Sequence, residues 1–334
     1  MGYRVDFEKM KIVATGGIYV RTFPASDQVT IDSKINRTPG LFSNSIFAQS
    51  LLPKNHTVSI KKDGYYDYNK TLLVQEKEVT KLENVLLFKK DIKFEAIMDK
   101  TQLPFNIQEK FLMKNNNLYY SESPANIVIT AIQKNTPVLK NLIAFAISNN
   151  NIIWLGTDGL LYQSDSNGKS PVKLTLKPLK IEGKKIYKIT VPEGYPGQNI
   201  FVNNNGSLLS FNSQTNNLDN FAESVKDAKI SPDGKNIVYF TNQEIYISLL
   251  SDESNKKTLL YKSADQINDF VWLNDDYVIF NTGGKIIISE IDYRSNINMV
   301  TLPQTADKIF FNRQDNKLYI LTGGTLLASE KLTP

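Results

Sequence analysis

The chain has 334 residues, 41% of them apolar and 22% charged, with a formal net charge of +5. That length and composition suffice for two domains, while zero cysteines and a single histidine exclude disulfides, thiol nucleophiles and zinc sites built on Cys or on several His. Lysines and carboxylates alternate through most of the chain, which reads as a solvated lysine-rich surface and not as a nucleic-acid-binding block.

Residues 1–15 read as a lead-in, and their half-polar character suggests a start downstream of a removed membrane anchor. No run of about 18 apolar residues occurs, so no segment reads as a bilayer-spanning helix.

Period-2 alternation then runs through residues 16–90: GGIYVRTFP, DQVTIDSK, HTVSIKKDGYY, NKTLLVQE and TKLENVLLF. Pro24 closes the first of these strands, Asp32-Ser33 turns the second, Thr38-Pro39-Gly40 begins a connection and Asp63-Gly64 supplies a turn before paired tyrosines. About five strands in this length predict a small β-sandwich. Gly17-Ile18-Tyr19-Val20, Pro24-Ala25, Val29-Thr30-Ile31-Asp32, Thr38-Pro39, Leu51-Leu52-Pro53, His56-Thr57-Val58 and Gly64-Tyr65 fall in the order of a PEGA domain, which the segment resembles. It departs at the name-giving tetrapeptide, here Pro24-Ala25-Ser26-Asp27, and at Lys54-Asn55 in place of the usual Gly. The resemblance implies an accessory or binding module of extracytoplasmic bacterial proteins, with His56 a structural strand residue and no reaction.

From about residue 97 a strand, turn, strand pattern recurs six times, with anchors Leu118, Ile152, Ile200, Ile237, Tyr277 and Leu318 spaced by 34, 48, 37, 40 and 41 residues. These are spacings of four-stranded propeller blades. Inner strands precede the anchors as EKFLM, LIAFAIS, IYKITV, DAKIS, DFVWL and DKIFF. The sixth copy lacks an outer strand, and residues 92–98 are free to supply it. The fold class is therefore all-β: a small PEGA-like β-sandwich followed, over residues 91–334, by a six-bladed β-propeller. Five blades with an irregular cap is the alternative, because KPLKIEGKK lengthens the second repeat. Ser231-Pro232-Asp233-Gly234-Lys235 resembles the turn of TolB-like, WD40-like propellers, which implies a protein-binding platform, although such folds also occur beside hydrolases.

Candidate chemistry is sparse. Thr-Gly-Gly at residues 282–284 and 322–324 precedes no helix and reads as hairpin turns rather than a phosphate cradle. Asp165-Ser166-Asn167-Gly168 begins like a calcium loop without the later acidic ligand. No Gly-x-Ser-x-Gly occurs, and Trp154 and Trp272 read as packing residues. No catalytic residue, metal ligand or cofactor is assigned. The one candidate binding constellation is a mostly acidic ring at a propeller mouth, formed by Asp227, Asp269 and Asp307 with Glu109 and Asn141 at equivalent positions and Lys185 breaking the pattern. Each Asp also has a bland reading as a turn acceptor.

These readings point to a non-catalytic extracytoplasmic binding or scaffold protein of a bacterial envelope. Its partners would be an envelope protein or cell-wall polymer, with no nucleic acid and with membrane attachment only through the removed anchor. A polymer-degrading hydrolase and a cytoplasmic scaffold are the alternatives.

Overall fold

The computed structural model describes residues 2–6, 10–40, 43–97, 111–120, 137–193, 199–252 and 254–333, and every regular element among them is a β-strand. A hairpin of β1 (Tyr3–Asp6) and β2 (Lys11–Ala14) comes first. The sandwich follows, with β3 (Gly16–Phe23), β4 (Gln28–Ile31), β5 (Ile35–Arg37), β6 (Ser45–Leu51), β7 (Asn55–Lys61), β8 (Tyr68–Leu73) and β9 (Val79–Leu86). One sheet runs β6-β3-β9, the other β5-β4-β7-β8. Alternation puts Ile18 and Val20 of β3, Val29 and Ile31 of β4 and Val58 and Ile60 of β7 into one shared core.

The sandwich has two more strands than its alternation predicts. Strand β5 is three residues long, and β6 carries a register shift against β3 with Ser50 at φ 59°, so neither presents a clean alternation. Strand β9 pairs with β3 in parallel. The Gly16-Gly17 doublet permits this crowding, because a Cβ on Gly16 would lie 2.3 Å from the Gln75 carbonyl oxygen. Asp32 and Ser33 both take positive φ, 51° and 55°, and with Lys34 form the three-residue β4–β5 loop.

Strand β10 (Phe94–Ala96) follows, and after it the described residues form six antiparallel meander sheets. The first is β11 (Phe111–Lys114), β12 (Asn117–Tyr120) and β13 (Leu139–Lys140); the second is β14 (Leu142–Ser148), β15 (Asn151–Gly156), β16 (Leu161–Asp165) and β17 (Val172–Lys173). The third is β18 (Tyr187–Thr190), β19 (Phe201–Asn204), β20 (Ser207–Asn212) and β21 (Asn217–Ala222). The fourth is β22 (Asp227–Ile230), β23 (Asn236–Phe240), β24 (Glu244–Leu249) and β25 (Thr258–Lys262); the fifth is β26 (Ile267–Trp272), β27 (Tyr277–Thr282), β28 (Lys285–Glu290) and β29 (Met299–Thr305). In the sixth, β30 (Lys308–Asn312), β31 (Lys317–Thr322) and β32 (Thr325–Lys331) take β10 as fourth strand, with Phe94 opposite Ser329. Five of the six repeat anchors lie in the second strand of their sheet and Ile200 immediately precedes it; all six are buried.

Two compact units result, one of residues 1–99 with 268–334 and the other of residues 100–267. In the first, Leu86, Phe88 and Ile92 enter the core shared by Ile279, Ile288, Ile309 and Ile320, so the sandwich exit is built into the fifth and sixth sheets. In the second, neighbouring sheets share cores, as where Ile153 and Leu161 meet Ile189 and Val202.

Candidate functional site

Local partners occupy the residues predicted to form an acidic ring. The Asp227 Oδ1 accepts from Lys188 Nζ at 2.5 Å and from the Ala228 amide at 2.9 Å. Asp269 accepts from the Phe270 amide at 2.8 Å, and Asp307 from the Gly323 amide at 3.2 Å. Asn141 sits at φ 57° with its carbonyl accepting from the Thr157 amide, Lys185 pairs with Glu182, and Glu109 lies outside the described residues. Asp227 belongs to one unit, Asp269 and Asp307 to the other. Among the described residues no group of three or more His, Cys, Asp or Glu could hold a metal ion.

The remaining motifs are turns. Gly283-Gly284 and Gly323-Gly324 all take positive φ at two-residue hairpins, and Asp165 Oδ1 accepts from the Asn167 and Lys169 amides. Trp154 and Trp272 are buried. In the Ser231–Lys235 turn the Ser231 hydroxyl donates to Asp233 at 2.6 Å and accepts from the Asn236 amide. His56 is buried with Nδ1 2.6 Å from Asp32 Oδ2 and Nε2 2.8 Å from the Leu52 carbonyl. Its carboxylate partner lies 24 residues away in sequence, and the ring ties the β4–β5 turn to the start of β7.

An open cleft of about 580 Å³ lies between the end of the third sheet and the fourth sheet. Tyr239 and Tyr246 are directly opposite on β23 and β24, so their rings stack at 5.3 Å and 15°. Phe221 meets Tyr239 edge-on, and Lys257 Nζ lies 5.0 Å over the Phe221 ring. The Tyr246 hydroxyl donates to Glu244 Oε2 at 2.8 Å, and Lys262 Nζ donates to Glu244 Oε1 at 2.9 Å. Those two bonds, that of Lys262 foremost, hold the Glu244 carboxyl below its ordinary range, and the bond to Glu244 raises the Tyr246 phenol. Burial, then the neighbouring Tyr246, pushes the Tyr239 phenol up. Thr241 Oγ1 accepts from the Gln243 and Glu244 amides, fixing the β23–β24 turn that carries Asn242 and Gln243 to the rim. The cleft thus offers the half-buried Tyr246 ring backed by the buried Tyr239, an ionised carboxylate, amides and an ammonium, a set suited to a hydroxyl- and amide-rich polymer. Sequence reasoning missed it, although Tyr239 and Tyr246 flank a polar hairpin at cross-strand spacing.

The other feature it missed lies in the unit containing the sandwich. Lys70, in the buried alternation of β8 between Tyr68 and Leu72, is fully buried. Its ammonium donates to Glu290 Oε1 at 2.7 Å, to the Asn296 carbonyl at 2.9 Å and to the Asp292 carbonyl. The Tyr68 hydroxyl donates to Glu290 Oε2 at 2.6 Å, and Asn298 donates its amide and its side chain to Oε1. Burial first, then the Glu290 charge, raises the Tyr68 phenol. Burial also pushes the Asp292 carboxyl upward, but the Arg294 hydrogen bonds and the Lys70 charge outweigh it and hold the carboxyl below its ordinary range. A buried charge network this complete fixes the sandwich edge on the fifth sheet.

Comparisons with known proteins stand beside this geometry. No curated protein matches the chain. Among solved structures it is similar to YCF48 bound to D1 peptide, at 12% identity and TM-score 0.43 over 93% of this chain and 94% of that one. It is also similar to YCF48 from Cyanidioschyzon merolae, at 14% identity and TM-score 0.41 over 55% and 65% of the two chains. A functionally unknown protein from Desulfotomaculum acetoxidans matches at 14% identity and TM-score 0.40 over 55% and 64%. The PEGA domain family model matches residues 15–87, the segment that folds as the seven-stranded sandwich.

Proposed function

We propose that the chain is a non-catalytic binding and scaffold protein of a bacterial cell envelope, held outside the cytoplasm. In this reading the six meander sheets are blades of a β-propeller, and the cleft beside Tyr239 and Tyr246 is where it takes a cell-wall glycan or an extended peptide. The observation that carries the reading is the cleft's composition, the half-buried Tyr246 ring held against buried Tyr239 beside the fixed Glu244 carboxylate and exposed amides. The PEGA match supports the extracytoplasmic setting. The Lys70–Glu290 network suits a scaffold, since it holds the sandwich rigidly against a sheet.

Incubation with purified peptidoglycan and with soluble cell-wall polysaccharide, followed by recovery of both protein and polymer, tests the proposal. Retention that Tyr246→Ala abolishes, with polymer of unchanged chain length, is the expected result. Shortened polymer would replace this reading with the hydrolase. Absence of retention, with a Tyr246→Ala variant indistinguishable from the parent, would remove the cleft as the glycan site.

A further inference from the structure

The connection between the second and third sheets holds a concentration of charge that alternation along the rest of the chain conceals. Residues 169–188 contain seven lysines and one acidic residue, Glu182, a net of +6. Since the whole chain carries +5, the other 314 residues sum to −1. The lysines that read as evenly dispersed therefore place the entire basic excess in one segment. Lys185 pairs with Glu182 and Lys188 with Asp227, whereas Lys173, Lys177, Lys180 and Lys184 are exposed and without an ion pair among the described residues.

This segment has a fixed backbone. Leu174, Leu179 and Ile181 pack on the core shared by the second and third sheets, and Thr175 is buried with its hydroxyl accepting from the Leu161 amide. The amides of Leu174, Leu176 and Leu179 donate to the carbonyls of Leu161, Asn216 and Gly159. With those side chains facing inward, the segment turns outward not only its lysines but three aliphatic residues: Val172, Leu176 and Ile186 are 58%, 64% and 78% exposed. The adjoining 213–217 turn, on which Leu176 is pinned, carries no charge.

We infer that this segment docks on a bilayer surface bearing anionic lipid, the lysines meeting headgroup phosphates while Leu176, Ile186 and Val172 enter the interface. Interspersed lysines and exposed aliphatics fit both layers of such a surface, charge against phosphate and apolar area against acyl chains. A soluble polyanion would use the lysines and leave the aliphatics in water. A single-stranded nucleic acid would want exposed aromatics, and the segment's one aromatic, Tyr187, is buried. The site is distinct from the Tyr239–Tyr246 cleft and stands or falls without it.

Cosedimentation of the whole chain with vesicles of phosphatidylcholine, and of phosphatidylcholine mixed with phosphatidylglycerol, tests the inference. Binding to the mixed vesicles alone, weakening as salt is raised, is expected. Combined Lys177→Glu, Lys180→Glu and Lys184→Glu should lower partitioning by about tenfold or more, and Leu176→Asn with Ile186→Asn should lower it severalfold at unchanged charge. Circular dichroism melting checks that these surface variants fold, and the vesicle-composition and salt series need no variant. Equal partitioning onto both vesicle types, or mixed-vesicle binding that survives the lysine reversals, would overturn the inference. So would unchanged binding of the Leu176/Ile186 variant together with equally tight binding to soluble polyphosphate, which would make the ligand a free polyanion.

Discussion

The Lys70 ammonium lies 2.7 Å from Glu290 Oε1 across 220 residues of chain, and both side chains are almost completely withdrawn from solvent. Removing one partner strands a buried charge, so Lys70→Met should destabilise the protein by about 3–5 kcal/mol. The double variant with Glu290→Gln should cost clearly less than the sum of the two single changes. Urea unfolding of the four proteins measures the coupling; additivity to within about 0.5 kcal/mol would show that the pair does not act as a unit.

Acid should unfold the protein partly through Asp292. Its folded-state carboxyl lies below the ordinary range, so the stability it contributes is present above the unfolded carboxylate pKa and is lost as pH falls through the lower folded value. The urea midpoint of the parent should therefore fall between about pH 5 and pH 2, more steeply than that of Asp292→Asn. Parallel profiles for the two proteins would remove Asp292 from the acid transition.

Asp32 joins a turn to a strand through two acceptors, one oxygen on His56 and the other on the Thr57 amide at 3.0 Å. Asn at this position tolerates the positive φ and can keep the amide bond. Asp32→Asn should consequently cost about 1–2 kcal/mol and Asp32→Ala more, since Ala loses both bonds and strains the turn. Thermal melts of the two variants, with indistinguishable losses, would contradict this division.

Asp227 and Asp307 separate the two readings of the acidic ring. As strand and turn acceptors, each should lower stability by about 1 kcal/mol when replaced by Ala, with affinity for a cationic peptide unchanged in fluorescence polarisation. If the carboxylates instead form a site, Asp227→Asn and Asp307→Asn should weaken peptide binding while leaving the melting temperature in place.

Much of this protein is written locally in its sequence. Strand positions, the six buried anchors from Leu118 to Leu318, and the glycine and Asp-Ser turns follow from period-2 burial and from residues that tolerate positive φ, properties set by a few neighbouring residues. Strands β5 and β6 escaped because a three-residue strand and a shifted register erase that period. Only the tertiary structure decided which distant side chains became partners: His56 with Asp32, Lys70 with Glu290. Alternation reveals that Lys70 points inward but not what neutralises it, since a buried charge is satisfied by whatever the fold brings across the edge of its sheet. The cleft and the basic segment follow the same rule. Their residue types stand in the sequence, while stacking of Tyr239 on Tyr246 and anchoring of Leu179 and Ile181 beneath exposed lysines arise only when strand pairing and core packing fix the side each residue faces.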